Sequence, residues 1–240
     1  MRLFLACAAA LTLCATAQPA SATSVAWGYA WSDGATGLRF TPRLATYHKP
    51  VHTLKTIKGA KELRLDYSAA AYRRITVACD LKETEGSVAI DAQGLGKTRC
   101  KPSDLTASLQ RGYVPVRVEY SGTKATKVTE FVPGVVPAIV ADGTIKRIDD
   151  RTIAFTRKGK TIRLRYSFDA SFLRVTAGCG DGWLTGKPVN ADRNGLGRKG
   201  CSAADLTKVL RGVRYPVLAR LDYEPMSGAV REVTEWFRDA

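Results

Sequence analysis

Cysteines, two histidines and a pair of glycine-rich turns are the residues of this chain whose types and spacing could do chemistry. His48 and His52 are four apart, which on a helix would aim both at one metal ion. Pro50 stands between them and no third ligand is near, so they are read as solvated loop histidines. Gly195-Leu196-Gly197-Arg198-Lys199-Gly200 fits a dinucleotide fingerprint on paper, but the related stretch Gly94-Leu95-Gly96 has Arg99 where the third glycine belongs. Gly96-Lys97-Thr98 resembles the end of a phosphate-binding loop, yet Asp91 occupies the place of its first glycine. Both are expected to be turns. Cys79, Cys100, Cys179 and Cys201 are at least 21 residues apart, whereas zinc sites use close pairs. No serine is set beside a histidine. The expectation is a protein without catalytic residues, metal or cofactor, and not an enzyme.

The cysteines point instead to an oxidising compartment. Arg2 followed by the uncharged apolar run Leu3–Ala17, then Gln18-Pro19 and Ala20-Ser21-Ala22, reads as a secretory signal peptide over residues 1–22. A lipoprotein reading at Cys14 is weaker, because bulky Leu13 precedes it. No later stretch is apolar for long enough to span a bilayer, so secretion without membrane insertion is expected. Thirty-seven Lys and Arg against 22 Asp and Glu give +15, or +14 once Arg2 is removed. The basic residues are scattered at alternating strand positions, as at Arg163 and Arg165, with no stacking platform of aromatics. They exclude no solvated sheet face, argue against nucleic acid, and would speed encounter with an acidic partner.

The elements that position these residues come twice. Leu63-Arg64-Leu65-Asp66-Tyr67-Ser68 matches Ile162-Arg163-Leu164-Arg165-Tyr166-Ser167, and Ile75–Cys79 matches Val175–Cys179. Gly94-Leu95-Gly96 before Cys100 matches Gly195-Leu196-Gly197 before Cys201. Asp104-Leu105-Thr106 matches Asp205-Leu206-Thr207, and Val128-Thr129-Glu130-Phe131 matches Val233-Thr234-Glu235-Trp236. A period near 100 residues means two domains. Bridges Cys79–Cys100 and Cys179–Cys201 let both copies fold alike, each contributing about 3 kcal/mol on the chain-entropy account. Apolar alternation at Leu63, Leu65 and Tyr67, at Val116, Val118 and Tyr120, and at Val217, Ala219, Leu221 and Tyr223 predicts strands. A helix follows each second cysteine, with Leu105 and Leu109, or Leu206, Val209 and Leu210, on one face, and Gly112 or Gly212 at its end. The division is a signal peptide (1–22), an N-terminal extension with an aromatic strand (23–60), a first unit (61–132), a linker (133–144) and a second unit (145–240). The class is α+β, mainly antiparallel β, each unit a small sheet with one or two short helices and one disulfide.

Each unit resembles a Streptomyces subtilisin inhibitor-like domain. The resemblance rests on Thr76 to Cys79, the second cysteine opening a helix with Leu105, Tyr113-Val114-Pro115-Val116-Arg117-Val118, and the hairpin ending in Val128, Glu130 and Phe131. It implies a candidate reactive loop at Arg111, Gly112 and Tyr113, with Val213 and Arg214 at the corresponding place of the second copy, facing a serine protease. The family's second disulfide and its G-T-H-P motif are absent here, which opens Arg111-Gly112 to cleavage in place of inhibition; a secreted serine protease inhibitor stays as the alternative function.

Before the repeat, Val25, Trp27, Tyr29 and Trp31 alternate with Ala26, Gly28 and Ala30. In a strand this gives one aromatic face and one face of glycine and alanine. Two readings stay open: the strand completes its own sheet, or it is donated to a partner, with Val25, Trp27, Gly28, Tyr29 and Trp31 as the contact. The layout is similar to the bridging B subunit of Streptomyces umbrella toxin particles. That likeness implies a secreted adaptor between a lectin-bearing, trypsin-like subunit and a repeat-rich stalk subunit.

Overall fold

The structure is a computed structural model, and it describes residues 23–80 and 87–237; the signal peptide expected over 1–22 lies outside the described residues. The first unit runs β1 (Ser24–Ser32), β2 (Gly37–Phe40), β3 (Arg43–His48), β4 (Val51–Thr56), β5 (Leu63–Asp66), β6 (Ala71–Arg74), β7 (Thr98–Cys100), α1 (Pro102–Arg111), β8 (Val114–Ser121) and β9 (Lys124–Glu130). The second runs β10 (Ile139–Asp149), β11 (Thr152–Arg157), β12 (Lys160–Arg174), β13 (Lys199–Cys201), α2 (Ala203–Arg211), β14 (Val217–Glu224) and β15 (Ala229–Glu235). The protein is mostly β, in two sheets, with both bridges formed as Cys79–Cys100 and Cys179–Cys201.

Each sheet curls into a closed ring. In the second unit β10 pairs with β14 and β11, β11 with β12, β12 with β15, and β15 with β14. In the first, β1 pairs with β8 and β2, β2 with β5, β5 with β9, and β9 with β8. The expected hairpins β8–β9 and β14–β15 are antiparallel, but β5 and β6 run parallel to β9, and β12 parallel to β15. The sheets are therefore mixed. Apolar alternation specifies which face of a strand is buried and carries no information about the direction of its neighbour. Long crossovers through the disulfide loop and helix bring the last strand back in the parallel sense.

Each ring wraps one core, and each helix closes it. Leu105 and Leu109 of α1 join Ala26, Ala30, Leu38, Tyr67 and Val116. Leu206, Val209 and Leu210 of α2 join Ile145, Phe155, Tyr166 and Val233. Asp104 and Asp205 start the helices by accepting from the backbone N–H of Lys101 (2.7 Å) and Ser202 (2.9 Å).

Two boundaries move. The span 133–144 does not remain linker to its end, because β10 begins at Ile139 and pairs with β14 from Ile139↔Tyr223 onward. Nor is 23–60 an extension outside the first unit. β1 pairs with β8 from Ser24↔Tyr120 to Ala30↔Val114, in the place β10 takes beside β14. Gly28 opposes Val116 as Gly143 opposes Ala219, and a Cβ on either glycine would lie 2.5 Å from the ring of Phe40 or Phe155. What the second unit lacks is the hairpin β3–β4.

Candidate functional site

The aromatic strand is an internal strand. Its small face, Ala26, Gly28 and Ala30, turns onto the first unit's own core. Its aromatic face is covered by the β3–β4 hairpin and by the tip of the second unit's β14–β15 hairpin. Trp27 lies 4.6 Å from the His52 ring and 5.4 Å from Phe131. Tyr29 meets Tyr113 edge-on at 5.2 Å, and Trp31 lies 5.7 Å from Tyr113. Trp31 Nε1 donates to the Ser227 carbonyl at 3.0 Å, and the Arg43 guanidinium donates to the Met226 carbonyl at 3.2 Å. Tyr29 and Trp31 are each 6% exposed. The partner contact expected at Trp27, Gly28, Tyr29 and Trp31 is thus corrected: these side chains are occupied within the chain, and only Val25 at the strand's start is exposed. The residues do mark an interface, between the two units of one chain.

The Arg111–Tyr113 segment lies at the same junction. Arg111 ends α1, and the chain leads on through Gly112 and Tyr113 along a cleft of about 460 Å³ whose far wall includes Ser167, Asp169, Glu224 and Arg231. The Tyr113 hydroxyl donates to Glu224 Oε2 at 2.9 Å, and burial first, then this bond, hold its pKa above the ordinary tyrosine value. Burial pushes the Glu224 carboxyl up, but bonds from Arg231, Tyr113 and Ser227 outweigh it and leave the group below its ordinary value. Nearby, Arg165 donates to Glu62 at 2.7 Å and lies over the Trp31 ring at 6.0 Å. Arg111 itself is exposed, while Gly112 and Tyr113 face the second unit. The corresponding loop of the second unit has no such cover. Val213 packs against the core below it, whereas Arg214, Tyr215 (65% exposed) and Pro216 stand free on the surface.

Of the two histidines, His48 is exposed beside a turn and His52 is buried, and both lie on strands. Pro50 turns a hairpin, His48 ends β3 and pairs with Val51, and His52 pairs with Tyr47. His52 is buried, its ring against Trp27 and its Nε2 2.7 Å from the Gln93 carbonyl. A proline that ends a helix serves a strand turn equally well, and the strand alternative left the ring inside.

The glycine motifs are turns, as expected. Asp91 Oδ1 accepts from the N–H groups of Gln93 and Leu95, and Asp192 Oδ1 does the same for Asn194 and Leu196. Gly96 and Gly197 cross directly over the backbone of Arg74 and Arg174, where a Cβ would fall within 2.5 Å of main-chain atoms. Cys79, Cys100 and Asp104 cluster in space, as do Cys179, Cys201 and Asp205, but the sulfurs are bridged and the carboxylates start the helices.

A repeated ion pair under each disulfide loop escaped sequence reasoning. Arg174 and Glu235 are both 0% exposed and 2.8 Å apart. Arg174 also donates to the carbonyls of Gly178, Cys179, Asp181 and Gly182, and Glu235 Oε2 accepts from Val175 N. In the first unit Arg74 donates, among the described residues, to the Cys79 carbonyl and lies 3.4 Å from Glu130, which also takes the Tyr72 hydroxyl. The signal was present: each repeat ends its last strand in Val-Thr-Glu, with the glutamate two places after a buried valine, and puts an arginine before the I-T or V-T pair.

No protein-family model, curated protein or solved structure matches this chain. Its functional reading therefore rests on its own geometry. Among the described residues, no helix is long and apolar enough to cross a membrane.

Proposed function

We propose that the chain is a secreted, non-enzymatic adaptor. In this reading it bridges two subunits of an extracellular antibacterial particle of the umbrella type, one lectin-bearing and trypsin-like, the other a repeat-rich stalk. The observation that carries the reading is the junction between the units. Trp31 with Ser227, Tyr113 with Glu224 and Arg165 with Glu62 tie one binding scaffold to its duplicate. A bridge needs its two partner surfaces held in a fixed relation, whereas tandem inhibitor domains work independently and need only a tether. The +14 charge of the processed chain would draw it toward acidic partners. The test is to purify the native protein from culture supernatant and identify what co-purifies. Two distinct protein partners, each retained through moderate salt, are expected; a lone monomer at every salt concentration overturns the adaptor.

A second reading, a secreted serine protease inhibitor, is favoured by one observation. The Val213–Pro216 loop presents Arg214 and Tyr215 at the place where the resemblance puts a reactive bond. In this reading Arg214 is a better candidate than Arg111, since Gly112 and Tyr113 are engaged by the second unit. Titration with trypsin decides between them. Stoichiometric inhibition lost in Arg214→Ala would establish the inhibitor, and rapid cleavage after Arg214 would dismiss it.

A further inference from the structure

We infer that the open edge of β10, residues Ile139–Gly143, receives an extended acidic segment of a partner protein by strand addition. The first unit itself shows how that position is filled. The half of β1 before Gly28 has β8 on one side and β3 on the other, joined at Trp27↔Arg43. The matching half of β10 has β14 on one side, from Ile139↔Tyr223 to Gly143↔Ala219. On its other side β11 begins pairing only at Thr144↔Thr156. The reason lies in the connection. After Phe40 and Thr41 the first unit inserts β3–β4, whereas after Phe155 and Thr156 the second turns at Lys158-Gly159 directly into β12. Five residues of strand edge, about 17 Å, have no strand neighbour on that side among the described residues.

The cleft beside that edge selects the occupant. Arg157, Lys158 and Arg220 line it against a single carboxylate, Asp142, which is already held by Arg220 at 2.6 Å. Arg157 also bears on Asp142 electrostatically. Val140 (62% exposed) and Leu218 offer apolar contact on the outward face. An extended segment alternating acidic and apolar residues matches this arrangement, main-chain bonds giving affinity and alternate side chains giving selectivity. A second copy of this chain does not, because two bodies of +14 repel.

This inference rests on the binding-protein reading but not on the number of partners. If the native chain proves a lone monomer while the edge still takes a peptide, the adaptor fails and the edge survives; the reverse result leaves Val213–Pro216 as the adaptor's contact. The probe is a synthetic ten-residue peptide alternating Glu and Val, with a Lys–Val peptide as control, added to the full processed chain. Hydrogen exchange should slow at least tenfold at amides within 139–143 with the acidic peptide and remain unchanged with the basic one. R157E/K158E should weaken binding at least tenfold with an unchanged melting temperature, the two side chains being exposed at the end of β11 and in the turn after it. Protection located elsewhere, no protection at all, or a concentration-dependent dimer through this edge overturns the proposal.

Discussion

The two units share an interior and differ on one outer face. In the first, Trp27 and Tyr29 on β1 stand beside Arg117 and Pro115, under the β3–β4 hairpin and the β14–β15 tip. At the same positions of the second, Asp142 and Thr144 stand beside Arg220 and Leu218, open to solvent. Inside, the glycine–phenylalanine contact, the disulfide, the capping aspartate and the Arg–Glu pair all recur. Duplication kept what closes the ring and changed what lies outside it. One copy became a socket for its sister, and the other kept the surface free.

The largest way to break this comparison is to empty the socket. Replacing Trp27, Tyr29 and Trp31 together by Ala should cost several kcal/mol, from lost burial and cavities. The melting temperature should then fall sharply. The matched change at Asp142, Thr144 and Lys146 should cost about 1 kcal/mol or less, as surface substitutions do. A stable triple mutant of the first set, seen in thermal denaturation, would mean the strand is dispensable and would revive donation to a partner.

The buried pairs sharpen the comparison next. Arg174→Met leaves the buried Glu235 without its counter-charge, held only by backbone N–H groups such as Val175 N, and deprives four carbonyls of their donor, a loss of about 3–5 kcal/mol. Arg74→Met should cost less, because Glu130 keeps the Tyr72 hydroxyl and Ile75 N. Urea titration of each variant gives the order, and equal losses would contradict it.

A smaller effect tests the ring itself. Gly28→Val and Gly143→Val both drive a Cβ into a phenylalanine ring, and each should destabilise by about 1–3 kcal/mol. Similar losses in circular dichroism melts would support the equivalence of β1 and β10; an effect only at Gly143 would deny it.

The smallest effect is acid loosening of the junction. Burial pushes Glu62 up, but the bond from Arg165 and the nearby Arg39 and Arg64 outweigh it, leaving its pKa below the ordinary 4.5. Glu224 is likewise lowered. A depressed carboxylate adds stability above its ordinary pKa and loses that contribution as pH falls through the lowered value. The melting temperature should therefore drop on going from about pH 5 to about pH 3. Glu62→Gln with Glu224→Gln should flatten that slope, and an unchanged slope would place the acid sensitivity elsewhere.

Much of the fold was legible because the signals were local. Cys79 and Cys179 are 100 residues apart and Leu105 and Leu206 are 101 apart, so one offset reveals cysteines, helices and hairpins together. Gly28 and Gly143 are 115 apart, and the inserted β3–β4 hairpin is what shifts them out of register. That shift hid the partner of β1 and made an internal strand look like an appendage. The engagement of Gly112 and Tyr113 by the second unit was hidden for another reason. A contact between units depends on how two folded bodies meet, and neither periodicity nor composition encodes it. The open edge at Ile139–Gly143 became visible only once its filled counterpart was known.

The indole of Trp31 finds its acceptor 196 positions later, at Ser227. During synthesis the chain emerges from its beginning, so the first unit must wait with part of its aromatic face wet until the β14–β15 hairpin arrives. The tip of β14–β15 thus acts as a final latch. A chain stopped before Val217 should carry an intact Cys79–Cys100 bridge yet be cut readily by protease near β1, whereas the completed chain should resist. Protease resistance of the first unit would then report that the second unit has folded against it.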